Sequence, residues 1–319
     1  MRINIIALND VFDTGLSTLI DAFTTANELA EITALTSLRF DVSIVGVRKS
    51  VKTAQGLSVP VGPVTRAVPD CVIMPAIGFK MPEALQAALD RPEVQDASLA
   101  LQRWKRNGSM MAAACVGTFL MAESGLLDHH ESTTTWWLAP FFRSRYPNVR
   151  LDETRMLVKS GDIVTAGAAL GHMDLALWLI RQKSPELATL TAQYLIVDSR
   201  PSQAAYVLTD HLMHADPMVE RFERWIRGRL SKGFSLAEAA KSVGASERTL
   251  ERRIRAILGK SPLSYFQDLR VERAVHLLRT TNKSVETIAS LVGYADGVTL
   301  RTLLRRRLGK GVKEIRRFQ

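Results

Sequence analysis

The sequence is poor in cysteine, since its 319 residues contain only Cys71 and Cys115. Two isolated thiols supply neither a disulfide framework nor the paired spacing of a zinc site, which argues against a disulfide-stabilised secreted domain and against a zinc finger. The sequence also lacks a run of about 18 uncharged apolar residues that could cross a membrane, and Met1 leads into a short apolar segment instead of a signal sequence. We therefore expect a cytoplasmic protein that needs no membrane, metal or cofactor.

Acidic residues are scarce at one end of the chain only. Residues 201–319 contain 23 Lys and Arg against 12 Asp and Glu, whereas residues 1–200 contain 19 against 20. A single Arg-rich helix is more often a solvated face than a binding surface. Here the whole basic excess lies in one segment, which is the pattern of a DNA-binding domain, because Lys and Arg neutralise phosphates and release counterions.

The basic segment contains one helix-turn-helix pattern twice. The first copy begins at Ser235 and the second at Ser284, each a good cap for a helix, and Gly244 and Gly293 occupy the same place in the two copies. Such a repeat predicts two equivalent heads that read successive segments of a duplex.

The second helix of each copy is rich in Arg. It is predicted to begin after Ser246 in the first copy and near Asp296 in the second, because both residues are good caps. Apolar residues at four-residue spacing are expected to face a small core and leave the Arg side chains outside; they are Leu250, Ile254 and Leu258 in the first copy, and Leu300, Leu304 and Leu308 in the second.

Residues 218–319 resemble the AraC/XylS-type DNA-binding domain. The resemblance depends on the segments Gly259-Lys260-Ser261-Pro262, Leu269-Arg270 and Val292-Gly293-Tyr294. It implies two helix-turn-helix units joined by a central helix, here at about residues 264–279, with recognition helices in adjacent major grooves. It also implies the DNA contacts, which we expect at Arg248, Thr249, Glu251, Arg252, Arg255, Val298, Thr299, Arg301, Thr302, Arg305 and Arg306.

The two heads are expected to read DNA differently. Arg248 and Arg252 suit bidentate contacts with guanine edges, and Glu251 can accept from cytosine. Val298 offers no hydrogen-bonding side chain, so the second head is expected to make weaker, more apolar base contacts. Its Arg residues are expected to hold phosphates, which sets position and affinity instead of sequence preference.

Short apolar runs alternate with helical patterns in the N-terminal two thirds of the chain. Strands are predicted at residues 3–8, 40–45, 71–74 and 110–114, and helices at 16–32, 82–89, 92–106 and 168–182. This order predicts a parallel sheet with helices on both faces. Residues 184–217, in which Ser184-Pro185 and Pro201-Ser202 indicate loops, are expected to link this domain, residues 1–183, to the DNA-binding domain, residues 218–319.

Cys115 lies where an apolar strand gives way to a helix, with Gly117 two residues on. This is the arrangement of a nucleophile elbow, and the amides of a helix N-terminus are expected to favour a thiolate. Together with segments 133–136 and 165–167, it resembles the PfpI-type, class I glutamine amidotransferase-like superfamily. Its fusion to an AraC-type domain resembles the GlxA-like transcriptional regulators, and implies a flavodoxin-like α/β domain followed by an all-α domain with two helix-turn-helix units.

A cysteine nucleophile needs a base to take its proton. The superfamily places a His where this chain has Thr135, while His129 and His130 come too early, so we expect no catalysis. Parallel sheets bind ligands at the carboxyl ends of their strands. A small-molecule effector pocket is therefore expected there, formed by Asp13, Gly15, Ala76, Ile77, Gly78, Cys115, Val116 and Thr135.

Three alternatives to effector binding stay open. Cys115 could be an inert relic in a domain that mainly dimerises, it could sense oxidants, or the domain could be an active cysteine amidase or peptidase. We expect a sequence-specific transcriptional regulator, of the activator kind, which binds double-stranded DNA, RNA polymerase, a small effector and a second copy of itself.

Overall fold

The computed structural model describes residues 1–33, 38–198, 200, 202–203, 217–308 and 311–316. The chain divides into two compact units, Met1–Val207 and Leu208–Gln319, which we call the first and second units. Within the described residues, no helix is long and apolar enough to cross a membrane.

The first unit is built on a seven-stranded sheet, counted over the described residues, with the strand order β10-β11-β7-β6-β1-β2-β5. Neighbouring strands are parallel except for β10, which runs antiparallel to β11 at one edge. The sheet strands are β1 Arg2–Ile6, β2 Asp41–Gly46, β5 Gly62–Pro63, β6 Cys71–Met74, β7 Met110–Ala114, β10 Leu157–Ser160 and β11 Ile163–Ala166. Two small two-stranded ladders flank it, β3 Val51–Lys52 with β4 Ser58–Val59, and β8 Glu131–Ser132 with β9 Arg150–Leu151.

Helices cover both faces of the sheet, as the alternating pattern predicted. They are α1 Asp13–Ile32, α2 Pro82–Leu89, α3 Pro92–Arg106, α4 Gly117–Glu123, α5 Ala139–Arg145, α6 Gly171–Lys183 and α7 Pro185–Tyr194, with a short 3₁₀ helix at Trp136–Leu138. Strand β1 supplies both cores, because Ile5 packs with Phe23 of α1 on one face while Ile6 packs with Trp104 of α3 on the other. The four predicted strands are confirmed; β5, β10 and β11 are additions to the predicted sheet, and of these β10 is antiparallel to its neighbour.

Helix α7 lies within the region expected to link the two domains. Leu187 and Ala188 of α7 are fully buried and belong to the same core cluster as Leu19 of α1 and Leu175 of α6. The start of this region is therefore part of the first unit's core. Residues 199, 201 and 204–216 of the predicted linker lie outside the described residues.

The described part of the second unit is helical and has two separate cores. Its helices are Pro217–Arg227, Leu236–Ser242, Glu247–Leu258, Pro262–Thr280, Val285–Leu291, Gly297–Leu308 and Val312–Arg316. The central helix, Pro262–Thr280, serves both cores, because Phe266 and Leu269 pack in the first and Ala274 and Leu278 in the second. The predicted pair of heads joined by one central helix is confirmed.

Candidate DNA-binding and effector sites

The four helices that form the two helix-turn-helix pairs each begin with a side-chain cap, as expected from the sequence. In every case the cap oxygen accepts the backbone N–H three residues on, which satisfies a donor that the helix itself leaves unpaired. The donor and acceptor pairs are Glu238 with Ser235 (3.3 Å), Thr249 with Ser246 (3.2 Å), Thr287 with Ser284 (3.0 Å) and Thr299 with Asp296 (2.7 Å).

The turns and the cores are repeated as closely as the caps. Gly244 and Gly293 have φ values of 71° and 80°, a left-handed conformation that side chains disfavour. Leu250 and Leu300 are both fully buried, the first against one core cluster and the second against the other. Two equivalent supports therefore hold the two recognition helices, Glu247–Leu258 and Gly297–Leu308.

The first recognition helix presents unpaired guanidinium groups. Arg248 and Arg252 are exposed, and neither has an ion-pair partner among the described residues. Glu251 pairs with Arg255 at 3.0 Å, one helical turn further on. The surface therefore has two cations available for base edges, beside a carboxylate that is already hydrogen-bonded.

The second recognition helix presents a different surface. Val298 is 67% exposed, and the Thr299 hydroxyl is held by Asp296 at 3.2 Å. Arg301 pairs with Glu286 at 2.8 Å. Thr302, Arg305 and Arg306 are also exposed on this helix. The start of this helix thus exposes methyl groups, and the unpaired cations among the described residues follow further along.

Cys115 occupies a strained turn, as the elbow pattern predicted. Its φ is 55° although it is not glycine, and Gly117 brings helix α4 so close to the sheet that an added Cβ would lie 2.2 Å from the Met74 carbonyl oxygen. The Cys115 carbonyl accepts from the hydroxyls of Thr118 (2.7 Å) and Thr134 (3.1 Å). The turn is therefore held from both sides.

The expectation of a thiolate is wrong for this cysteine. Cys115 is only 4% exposed, and burial raises the pKa of its thiol to about 12. The neighbouring Val116 amide and Thr135 hydroxyl lower that pKa, but by less than burial raises it. At neutral pH the side chain is a protonated thiol, which is a weak nucleophile.

His172 fills the space beside the elbow. Its Nδ1 donates to the Ala169 carbonyl at 2.7 Å, so its unprotonated Nε2 accepts from the Ala76 backbone amide at 3.1 Å. The ring also lies over Gly15, where an added Cβ would be 2.7 Å from it. Desolvation lowers the pKa of this buried imidazole to about 4, so it is neutral. The Ala76 amide, a candidate oxyanion donor, is therefore already occupied.

The remaining residues of the predicted effector pocket lie on the same edge of the sheet. Asp13 accepts from the Gln55 amide at 3.1 Å, and Ile77 forms a β-bridge with Val11. The Gly78 amide donates to the Asp10 carbonyl at 2.8 Å. Two open clefts, of about 520 and 420 Å³, are lined by other parts of the unit, one beside Arg2 and one beside Glu123. The eight pocket residues are buried or half-buried.

Residues 239–317 match the family described as a helix-turn-helix domain, which spans most of both heads. The chain is 28% identical to the HTH-type transcriptional regulator GbdR of Pseudomonas aeruginosa over 200 residues, 61% of this chain and 54% of that protein. It is 24% identical to the HTH-type transcriptional regulator GlxA of Rhizobium meliloti over 216 residues, 65% of each chain. Over these parts of its length the chain is similar to two regulators described as HTH-type.

The chain spans about half the length of GbdR. In fold it also resembles the crystal structure of an AraC family transcriptional regulator from Pseudomonas putida, with a TM-score of 0.51 and 20% identity over 61% of this chain and 98% of that one. At that identity the likeness concerns the fold alone. The flavodoxin-like first unit and the helical second unit agree with the predicted fold class.

Two residues that the sequence did not single out stabilise parts of these sites. Arg270 stacks on Phe266 and Tyr294, at 4.2 and 5.3 Å from the ring centroids, and so ties the central helix to the turn of the second head. The second such residue is His172, which accepts from the Ala76 amide. The pair Leu269-Arg270 belonged to the recognised segments, but nothing in it indicated a contact with Tyr294.

Proposed function

We propose that this chain is a sequence-specific DNA-binding regulator that activates transcription by contacting RNA polymerase. The observation that carries the proposal is the equivalent support of two exposed, Arg-rich helices by matching caps, turns and cores. Two such helices suit adjacent major-groove segments, about 10 base pairs apart. The GbdR and GlxA relatives are named transcriptional regulators, which supports the same conclusion.

In-vitro selection of random duplexes by the purified full-length chain tests the DNA-binding part. We expect enrichment of a bipartite site, with the stronger base preference in the half contacted by Arg248 and Arg252. A pool that never departs from random sequence would contradict sequence-specific binding. Placing the selected site upstream of a weak promoter tests activation, because a repressor would lower transcription there and an activator raises it.

We further propose that the first unit binds a small amine or amino-acid-like effector and dimerises, without catalysing a reaction. The Asp13 Oδ1 atom is buried and has no hydrogen-bond partner among the described residues, which suits an ammonium group. Cys115 has a raised pKa, and Thr135 stands in place of a base. These features support binding over nucleophilic chemistry.

Two measurements separate effector binding from enzymatic activity. Thermal unfolding with a panel of amines and amino acids should reveal a stabilising ligand, and Asp13→Asn should abolish the effect. Assays with amide and glyoxal substrates, with Cys115→Ser as control, should detect no Cys115-dependent turnover. Multiple turnover that disappears in Cys115→Ser would establish the alternative, an enzyme fused to a DNA-binding unit. Sedimentation of the full chain tests the homodimer.

A further inference from the structure

The segment that leaves α7 is anchored to the first unit at three described residues. Arg200 pairs with Asp174 at 2.7 Å, and the Ser202 hydroxyl donates to the Thr154 carbonyl at 2.7 Å. The backbone amide of Gln203 donates to the same carbonyl at 3.0 Å. The last anchor immediately precedes residues 204–216, which connect to the helices of the second unit.

Gln203 is the most deeply held of these anchors, since it is only 1% exposed. Its Nε2 donates to the Thr134 carbonyl at 2.8 Å, to the Thr133 hydroxyl at 3.1 Å and to the Arg155 carbonyl at 3.3 Å. Two of these partners are carbonyl oxygens, which can only accept. The nitrogen of the carboxamide must therefore face them, and a carboxylate in its place would be repelled.

Gly167 makes the space for this carboxamide. A Cβ added at Gly167 would lie 2.2 Å from the Gln203 Nε2 and 2.6 Å from its Cδ. Both distances are shorter than non-bonded atoms allow, so any side chain at position 167 excludes the carboxamide. The Gly167 amide donates to the Met156 carbonyl at 2.7 Å, which fixes the Gly167 backbone beside the carboxamide.

The fit is good on one side of the carboxamide only. The Gln203 Oε1 atom is buried and has no hydrogen-bond partner among the described residues. A buried acceptor without a donor weakens the hold, so the contact is suited to release. The slot also touches the elbow, because the Thr134 hydroxyl donates to the Cys115 carbonyl at 3.1 Å while the Thr134 carbonyl accepts from Gln203.

We propose that Thr133, Thr134, Arg155 and Gly167 form a slot for a primary carboxamide, occupied in this structure by the side chain of Gln203. The occupied slot fastens the start of the connection between the two units next to the Cys115 turn. A ligand that moves this turn or competes for the slot releases the connection and lowers the affinity for paired DNA sites. The regulatory step rests on the proposed function, whereas the slot itself does not.

Hydrogen exchange of the full chain without DNA tests the slot directly. In Gln203→Ala and in Gly167→Ala, peptides containing residue 203 should exchange roughly 5- to 30-fold faster than in the unmodified chain, the factor expected for losing one or two buried hydrogen bonds. Gly62→Ala is the matched control, because a Cβ there meets only the Ile44 carbonyl oxygen at an ordinary 3.7 Å. Unchanged exchange in Gln203→Ala would overturn the slot, even if Gly167→Ala failed to fold.

Competition by small amides tests the ligand class. Acetamide at high millimolar concentration should speed the exchange of peptides containing residue 203 in the unmodified chain, because it offers the same carboxamide, with both N–H donors, and competes with Gln203 for the slot. N,N-dimethylacetamide and acetate lack those donors and should have no effect. The double variant Gly167→Ala with Gln203→Ala should not respond to acetamide. Equal effects of acetamide and N,N-dimethylacetamide would mean that the slot does not recognise a carboxamide.

DNA affinity tests the regulatory step separately. Releasing Gln203 lengthens the stretch of chain between the last residue held on the first unit and the helices of the second unit. In the proposed dimer, once one chain has bound its half-site, the effective concentration of the partner's second unit at the other half-site therefore falls. Even if the Arg200 and Ser202 anchors are lost with Gln203, the free stretch grows only from residues 204–216 to residues 195–216, so Gly167→Ala should bind paired selected sites up to about twofold more weakly and single sites equally well. Equal affinity for paired sites would overturn the regulatory step. Absence of DNA binding in every variant would instead overturn the proposed function, and the exchange result would still decide the slot.

Discussion

The two recognition helices share one scaffold but differ in their exposed chemistry. In the first, Arg248 and Arg252 are exposed and unpaired among the described residues. At the start of the second, Val298 is exposed and the Thr299 hydroxyl is engaged by the cap residue Asp296. Methyl groups discriminate between bases less strongly than bidentate guanidinium contacts do.

The comparison shows that the repeat preserves the supporting structure of each head but not the chemistry of its exposed face. Caps, turns and buried leucines recur because each head must bury its own small core. Nothing in that requirement constrains the outward face. One head can therefore specify the sequence while the other mainly supplies affinity, and the comparison yields four tests.

Truncating a buried leucine in either head gives the largest expected effect. Leu250→Ala and Leu300→Ala each remove a fully buried side chain from a separate core. Each should lower the free energy of unfolding of its own head by about 2–5 kcal/mol. Leu250→Ala should abolish sequence preference, whereas Leu300→Ala should lower affinity and leave the preference in place.

Denaturant unfolding and binding to selected and scrambled duplexes measure both quantities. An equal loss of preference in the two leucine variants would show that the heads contribute alike to base readout. Exposed Leu263, on the same unit, provides the control substitution to Ala, because its side chain is 48% exposed.

The second largest effect is expected from removing the exposed guanidinium groups of the first head. Arg248→Ala and Arg252→Ala should each cost about 1–3 kcal/mol at the matched base pair and relax selection there. Val298→Ala should cost less, because it removes only methyl contacts. Arg224→Ala is the control, since this exposed Arg lies outside the recognition helices and pairs with Glu220 one turn away on the helix Pro217–Arg227. Equal losses on specific and random DNA would place Arg248 and Arg252 on phosphates instead.

Local signals explain why the second unit could be predicted closely from its sequence. A cap residue and the backbone amide that donates to it are three residues apart, and buried apolar residues recur every four residues. A short stretch of sequence therefore contains the whole helix signal. The same holds for the Cys115 elbow, where strand, turn and helix are contiguous. The four strands that were predicted are contiguous apolar runs, so the same reason applies to them.

Contacts between distant residues could not be predicted in this way. His172 accepts from Ala76, Gln203 donates to Thr134, and Arg270 stacks on Tyr294. Each partner lies far along the chain, and no periodicity indicates the pair. The raised pKa of Cys115 follows from burial among such distant neighbours, so the local elbow pattern pointed to the opposite charge state.

Salt dependence distinguishes the Arg residues of the second head from one another. Arg305→Gln or Arg306→Gln should reduce the slope of log affinity against log salt concentration by about one unit, because each removes one phosphate contact. Arg307→Gln is the matched control, since Arg307 pairs with Asp268 of the central helix at 2.6 Å. Its slope should stay near that of the unmodified chain. If the Arg305 and Arg306 variants kept the slope of the unmodified chain, direct phosphate contacts by these two residues would be excluded.

The caps give the smallest expected effect and the finest difference between the heads. The Thr299 backbone amide and then its hydroxyl hold the pKa of Asp296 below its ordinary value of 3.8, whereas the Ser246 cap does not titrate. A carboxylate with a lowered pKa stabilises the folded state above its ordinary pKa, and that contribution is lost as pH falls through the lowered pKa. The start of the second recognition helix should therefore open in acid before the first.

Amide exchange at Thr299 and Thr249, followed from about pH 6 to about pH 3, measures this difference after correction for intrinsic rates. Glu286 acts in the same direction, because its backbone amide and Arg301 lower its pKa too. Asp296→Ser isolates the cap, since it gives the second head the same uncharged cap as the first and leaves Glu286 in place. The acid-induced gap between Thr299 and Thr249 should then narrow. A gap of unchanged size would assign the acid sensitivity to the pair formed by Glu286 and Arg301 instead of to the cap.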